Sequence, residues 1–197
     1  MTRDNTQNSP AIQPEDIYKI VPQQVIFDVL KQYRFDLMES EHAMLHWGRV
    51  IENGFWLAEK NGANKNVIIA FGIFHDCRRE NEFDDPEHGP RGGEFLHSFA
   101  DKINMTKGEL SKAVEACKGH THILHTDDID IATCWDADRL DLMRVGIFPE
   151  LKYLNNTSLI DDKVLFDRSQ PAIFNQAPQW IVDILNDFQI HIDAAIY

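Results

Sequence analysis

The chain has only three cysteines in 197 residues, Cys77, Cys117 and Cys134. They are too few and too scattered for a disulfide framework or a zinc ribbon. They read as reduced thiols, the first two as small buried apolar groups. No uninterrupted apolar run approaches the roughly 18 residues of a membrane span. The opening stretch, Met1 to Pro10, has no apolar core of the kind a signal peptide needs. Cytoplasm is therefore the expected compartment, with no membrane partner. Positive charge is also scarce: 19 Lys and Arg stand against 32 Asp and Glu, a formal net charge of −13. Such a balance opposes non-specific contact with nucleic acid or anionic lipid, since both are polyanions. A small anionic substrate is not excluded, because arginines and a metal can reverse the field inside a cleft. Missing too are an alternating strand pattern and an internal repeat.

What the chain does have is 43% hydrophobic content, enough for one substantial core. The expectation is an all-α single domain over residues 21–197, preceded by a mobile tail over 1–20 that is polar up to about Pro14. Val25, Val29, Leu30, Tyr33 and Leu37 recur at helical spacing. Ser40 is placed to cap a second helix that stops near Asn61-Gly62. The run Val67 to Ile73 forms a third helix and ends at His75-Asp76. Residues 81–90 are rich in turn formers. A helix follows from Pro90 through Phe95, Leu96, Phe99 and Ile103. Thr106-Lys107-Gly108-Glu109 is a capping box for the next, and Asp127 or Asp128 caps one ending near Gly146. Shorter patterns cover 158–166 and 179–196.

Histidine and aspartate beside buried runs are costly unless paired or bound to a metal. His46 follows Leu45 on the second helix. His75-Asp76 ends the most apolar helix. Asp136, Asp138 and Asp141 crowd six positions among Trp135, Leu140 and Leu142, with Arg139 and Arg144 as ion-pair partners. In order, His46, His75-Asp76 and Asp138 resemble the H…HD…D signature of the HD-domain superfamily of metal-dependent phosphohydrolases. His46-Trp47-Gly48-Arg49-Val50 resembles its H-x-x-R-V, and Asp136-Ala137-Asp138-Arg139-Leu140-Asp141 its D-A-D-[RK]-L-D. The resemblance covers about residues 40–146 and implies an HD-type helical bundle.

It also implies a divalent metal (Mn, Fe, Co, Ni or Zn) held by His46, His75, Asp76 and Asp138, a mixed N/O site. Asp136 is the alternative fourth ligand. Otherwise Asp136 and Asp141 orient ligands or Arg49. The implied activity is hydrolysis of a phosphate ester or anhydride in a small phosphorylated substrate, a nucleotide being the commonest class. Asp76 and Glu80 are the catalytic candidates. Glu80 is displaced by one position from the family's acidic residue, where this chain has Arg79. Arg78 and Arg79 can neutralise phosphate oxygens. Glu87-His88-Gly89 resembles the family's His-Gly segment, which makes His88 and Arg91 candidates for substrate binding, with His120 or His122 completing the pocket. Relatives with two metals hold the second ion by histidines in these regions. His42, His97, His125 and His191 read as capping or surface residues. Two alternatives stay open, a di-iron oxygenase resembling inositol oxygenase and a metal-stabilised binding protein without turnover, and so does a homo-oligomer.

Overall fold

The computed structural model describes residues 11–188. Among these there are nine α-helices and no strand: α1 (Pro14–Tyr18), α2 (Gln23–Gln32), α3 (Met44–Asn61), α4 (Lys65–Phe74), α5 (His88–Ser98), α6 (Lys107–Gly119), α7 (Ile129–Arg139), α8 (Asp162–Ile173) and α9 (Gln179–Asp187). The fold is all-α, as the spacing predicts.

The axis is α4, in which every residue from Val67 to Phe74 is buried. A helix apolar on all sides has to be enclosed on all sides, and α3, α5, α6 and α7 enclose it. Its start is set by Asn64, whose side chain accepts from the Asn66 amide. Gly72 lets α3 approach closely: a Cβ there would run into the Ile51 side chain. That contact fixes the end of α4 against the second turn of α3.

The caps read from sequence largely hold. Gly62 ends α3 at φ 78°, Thr106 and Glu109 form the capping box of α6, and Asp128 caps α7. Several boundaries differ: α2 stops at Gln32, short of Leu37, and α5 runs from His88 to Ser98, opening before Pro90 and stopping short of Phe99 and Ile103. The helix assigned to Ser40 starts at Met44, because the Ser40 hydroxyl is taken up by Tyr33 and Glu82. The α7 helix stops at Arg139, and the chain tightens into a 3₁₀ turn, Leu142–Val145, closed by Gly146 at φ 75°. Residues 14–18, assigned to a mobile tail, form α1, with Ile17 fully buried. The terminal stretch to Ile196 is helical over Gln179–Asp187; the remainder and His191 lie outside the described residues. Among the described residues no helix is long and apolar enough to cross a membrane.

Candidate metal centre

Five helix ends meet at one place. His46 lies in the first turn of α3, His75 caps α4 with Asp76 next to it, Asp138 is in the last turn of α7, His88 opens α5, and His120 caps α6. All six are buried. Helix ends leave backbone groups without intrahelical partners, and here the imidazoles use them. His75 Nδ1 donates to the carbonyls of Phe71 and Gly72 at 3.1 and 3.2 Å. His120 Nδ1 donates to Cys117 O at 2.7 Å, and His88 Nδ1 donates to Asp85 O. His46 Nδ1 donates to Asp141 Oδ2 at 2.7 Å. These bonds assign each neutral imidazole its proton on Nδ1 and leave Nε2 as an acceptor. In the second couple Thr121 Oγ1 lies 3.4 Å from both His88 Nε2 and His120 Nε2, and Arg79 Nη1 lies 3.3 Å from His88 Nε2.

The four lone pairs face each other in two pairs. His46 Nε2 is 3.0 Å from His75 Nε2, and His88 Nε2 is 2.8 Å from His120 Nε2. Two lone pairs at that distance repel unless a positive charge sits between them. Asp76 stands between the pairs. Its Oδ2 is 3.7 Å from His46 Nε2 and 3.8 Å from His75 Nε2, while its Oδ1 is 3.0 Å from His88 Nε2. Asp138 Oδ1 closes the first group, 3.4 Å from His46 Nε2 and 3.9 Å from His75 Nε2. Buried though it is, that oxygen has no hydrogen-bond partner, a state that ordinarily costs free energy.

A divalent ion at about 2.1 Å from nitrogen and oxygen donors sets neighbouring donors roughly 3.0–3.5 Å apart. The first group approaches that spacing. The donor chemistry fits as well: two neutral imidazoles and two carboxylates in one place, two imidazoles and the other Asp76 oxygen in the second. His46, His75 and Asp76 form one group that can hold a metal ion, and Asp76, His88 and His120 form another, with Asp138 beside the first. The electrostatics agree. Burial pushes His75 down to about 3, so it stays neutral. Burial opposes charge on Asp76 and Asp138 too, yet the groups around them outweigh it and hold both carboxyls well below the usual range. At His120 burial is likewise outweighed, by Asp76, which draws positive charge to that point.

A second ring of contacts fixes the ligands. Arg49 grips Asp141 with Nε–Oδ1 at 2.7 Å and Nη2–Oδ2 at 3.1 Å, and Asp141 in turn holds His46. Arg49 Nη1 donates to Asn175 Oδ1 and Gln176 O, so the segment after α8 braces the first group. Such outer contacts orient a ligand and keep its tautomer.

Above the centre opens a cavity of about 550 Å³. Arg79 and Arg144 line it near the metal groups. Arg79 Nη1 lies 3.4 Å from Asp76 Oδ1, and Arg144 Nη2 lies 3.8 Å from Asp138 Oδ1 and 4.0 Å from Asp76 Oδ2.

Of the residues singled out from sequence, His46, His75, Asp76, Asp138, Arg79, His88 and His120 are brought together. The others are not. Glu80 sits on the surface, where Arg34 is 3.4 Å from it, because the helix ends at Phe74 and the turn rate that would align Glu80 with Asp76 is lost. Arg78 stacks its guanidinium over Phe95. Arg91 is spent on Asp85, with Nη2 at 2.6 and 2.5 Å from the carboxylate oxygens, and on Arg78 O. His122 is exposed at the cavity edge, its Nε2 donating to Pro86 O. Asp136 belongs to neither group: its oxygens accept from the backbone and side-chain nitrogens of Asn155 and Asn156 at 2.7–2.9 Å. Asp141 does orient His46 and Arg49.

Two residues of the site escaped the sequence reading. His42, taken for a capping residue, is buried with Nδ1 3.0 Å from Asp76 Oδ2. Its place one turn before His46 was the available signal, and the turn at 40–43 puts it there without a helix. Arg144, taken for an ion-pair partner on a helix face, reaches the centre because the chain leaves α7 in a 3₁₀ turn. No family model, no curated protein and no solved structure matches this chain.

Proposed function

We infer that the chain is a metal-dependent phosphohydrolase of the HD type, with two divalent ions held side by side, one by His46, His75, Asp76 and Asp138 and the other by Asp76, His88 and His120. The observation that carries this reading is the pair of facing imidazole couples with the Asp76 carboxylate between them. When bound, divalent ions at such a centre lower the pKa of a coordinated water and neutralise phosphoryl oxygens.

The protein's own groups do the rest. Arg144 and Arg79 offer N–H donors to an anion at the floor of the cavity, where burial strengthens the attraction. His42 Nδ1 and Arg79 Nη1 hold the two oxygens of Asp76 from outside the imidazole couples, so the carboxylate cannot rotate out of its shared position. Asp141 keeps the His46 proton on Nδ1, and the backbone carbonyls do the same for His75, His88 and His120. Glu80 has no part in this scheme, and Asp76 would serve as a ligand shared by the two groups rather than as a proton carrier.

A second reading rests on the same donor set. Four histidines and two aspartates are also the six ligands that the di-iron oxygenase alternative requires. Phosphohydrolysis is preferred because two arginines flank the centre, which suits an anion. A polyol substrate would need hydrogen-bonding groups in the outer cavity, and that part of the wall is largely apolar. The test is phosphate release from a panel of phosphate esters and anhydrides with each divalent ion. Release supports hydrolysis; two irons per chain with oxygen uptake and no phosphate release supports the alternative.

A further inference from the structure

The outer part of the cavity is chemically unlike its floor. Phe83, Leu124, Ile147, Phe148 and Tyr153 all line it, and they are five of the ten exposed large apolar side chains among the described residues. They come from three separate segments: the loop after α4, the loop after α6, and the stretch after α7. Apolar groups scattered on a surface need no explanation, but convergence around one opening marks a binding site. Phe83 is 90% exposed and Phe148 50%. Neither contributes to the core, so folding gives no reason for their presence.

Phe83 is also held in position. Arg79 Nη2 donates to Phe83 O at 2.9 Å and Nε to Asn81 O at 3.3 Å, while its Nη1 reaches Asp76. The exposed ring therefore stands on a backbone that a buried guanidinium anchors to the centre. An aromatic presented to solvent from a fixed backbone is pre-organised for contact, with little ordering left to lose on binding.

We propose that this mouth binds an apolar, ring-bearing group of the substrate, joined to the anionic end that occupies the floor, with Phe83 and Phe148 as the specificity-determining contacts. The proposal rests on the phosphohydrolase reading for the anionic end. The cavity of about 550 Å³ lies in the range of small-molecule sites, roughly 300–1,000 Å³, so it takes one such molecule rather than a polymer. Two acids at the mouth, Asp84 and Glu150, repel a second anionic group there. The ring-bearing body is thus neutral or cationic.

The test compares 2-phenylethyl phosphate with ethyl phosphate, two esters with similar leaving groups that differ by one ring, in the metal-loaded full chain. The wild type is expected to favour the phenyl ester about tenfold in kcat/KM, a fraction of full phenyl transfer because the wall is half open. Phe83→Ala with Phe148→Ala should reduce that preference to under threefold, mainly through KM. Phe166→Ala, an exposed aromatic on α8 away from the cavity, should leave the preference as it is. Calorimetry with the matching phosphonates separates this idea from the reaction. If neither ester is hydrolysed, the phosphonate arm decides: tighter binding of the phenyl phosphonate that the double variant loses supports the mouth, and the phosphohydrolase reading is left to the panel of esters and anhydrides. Equal handling of both esters and both phosphonates overturns the proposal. So does light scattering that finds a dimer which the double variant abolishes, since a second copy would then cover the rim.

Discussion

His46 Nε2 and His75 Nε2 lie 3.0 Å apart with both Nδ1 protons already donated, to Asp141 and to the carbonyls of Phe71 and Gly72. Among the described residues no donor satisfies both lone pairs at once. The arrangement has the shape of a cation site, and removing the cation should be felt as lost stability. A chelator that strips the protein is expected to lower Tm by several degrees, and adding back a divalent ion should restore it in a concentration-dependent way. Identical melting curves with and without metal would contradict this.

Asp138 and Asp136 are two residues apart and should behave oppositely. Asp138→Asn weakens the first metal group, so bound metal is expected to fall by about one equivalent while the apo protein melts as before or higher. Asp136→Asn leaves metal content intact but disturbs five hydrogen bonds from Asn155 and Asn156 and should destabilise by about 2–4 kcal/mol in a urea titration. Metal loss in Asp136→Asn would move the ligand assignment back to that residue.

Arg49, Asp141 and Asn175 form a chain of support for His46. Asp141→Asn is expected to weaken metal binding by about 10–100-fold, as removal of such outer partners does. Asn175 is the non-glycine residue with positive φ, 45°, among the described residues. Asn175→Ala should cost about 1–2 kcal/mol, from the left-handed backbone and the lost Arg49 contact together. Asn175→Gly should cost less, because glycine accepts that backbone. Equal losses in thermal melts would remove backbone strain from the explanation.

Glu80 is expected to be dispensable. Its carboxylate faces Arg34 at the surface, and Glu80→Gln should change kcat less than twofold on any substrate found. A tenfold loss with metal retained would restore the catalytic role that its spacing from Asp76 suggested.

Glu109 gives a pH signature that does not involve the metal centre. Burial raises its pKa, but hydrogen bonds from Thr106, Asn64 and Asn66 outweigh that and hold it at about 2, below the ordinary 4.5. A depressed carboxylate adds stability above its unfolded value and loses it as pH falls towards the folded one. The wild type should therefore lose stability relative to Glu109→Gln between pH 4.5 and 2, and a constant difference across that window would contradict the assignment.

Much of this was legible in the sequence because it depended on local pattern. The apolar run 67–73 and the capping box at Thr106 are near-neighbour signals, whereas the grouping of His46, His75-Asp76 and Asp138 rested on the resemblance to the HD-domain signature. What was not legible depended on where helices stop. Glu80 belongs with Asp76 only if α4 continues past Phe74, and it does not. Arg144 enters the cavity only because α7 ends at Arg139, and His42 reaches Asp76 only because residues 40–43 turn. Arg91 carried the right charge in the right loop, but Asp85 claimed it, a pairing that no spacing rule picks out from the other acids of that loop.

The most direct measurement is metal stoichiometry by mass spectrometry of protein saturated with a divalent ion and then desalted. Two ions per chain are expected in the wild type, one in Asp138→Ala, one in His120→Ala and fewer than one in Asp76→Ala, since Asp76 belongs to both groups. Two ions retained in Asp76→Ala, or none in the wild type, would contradict this.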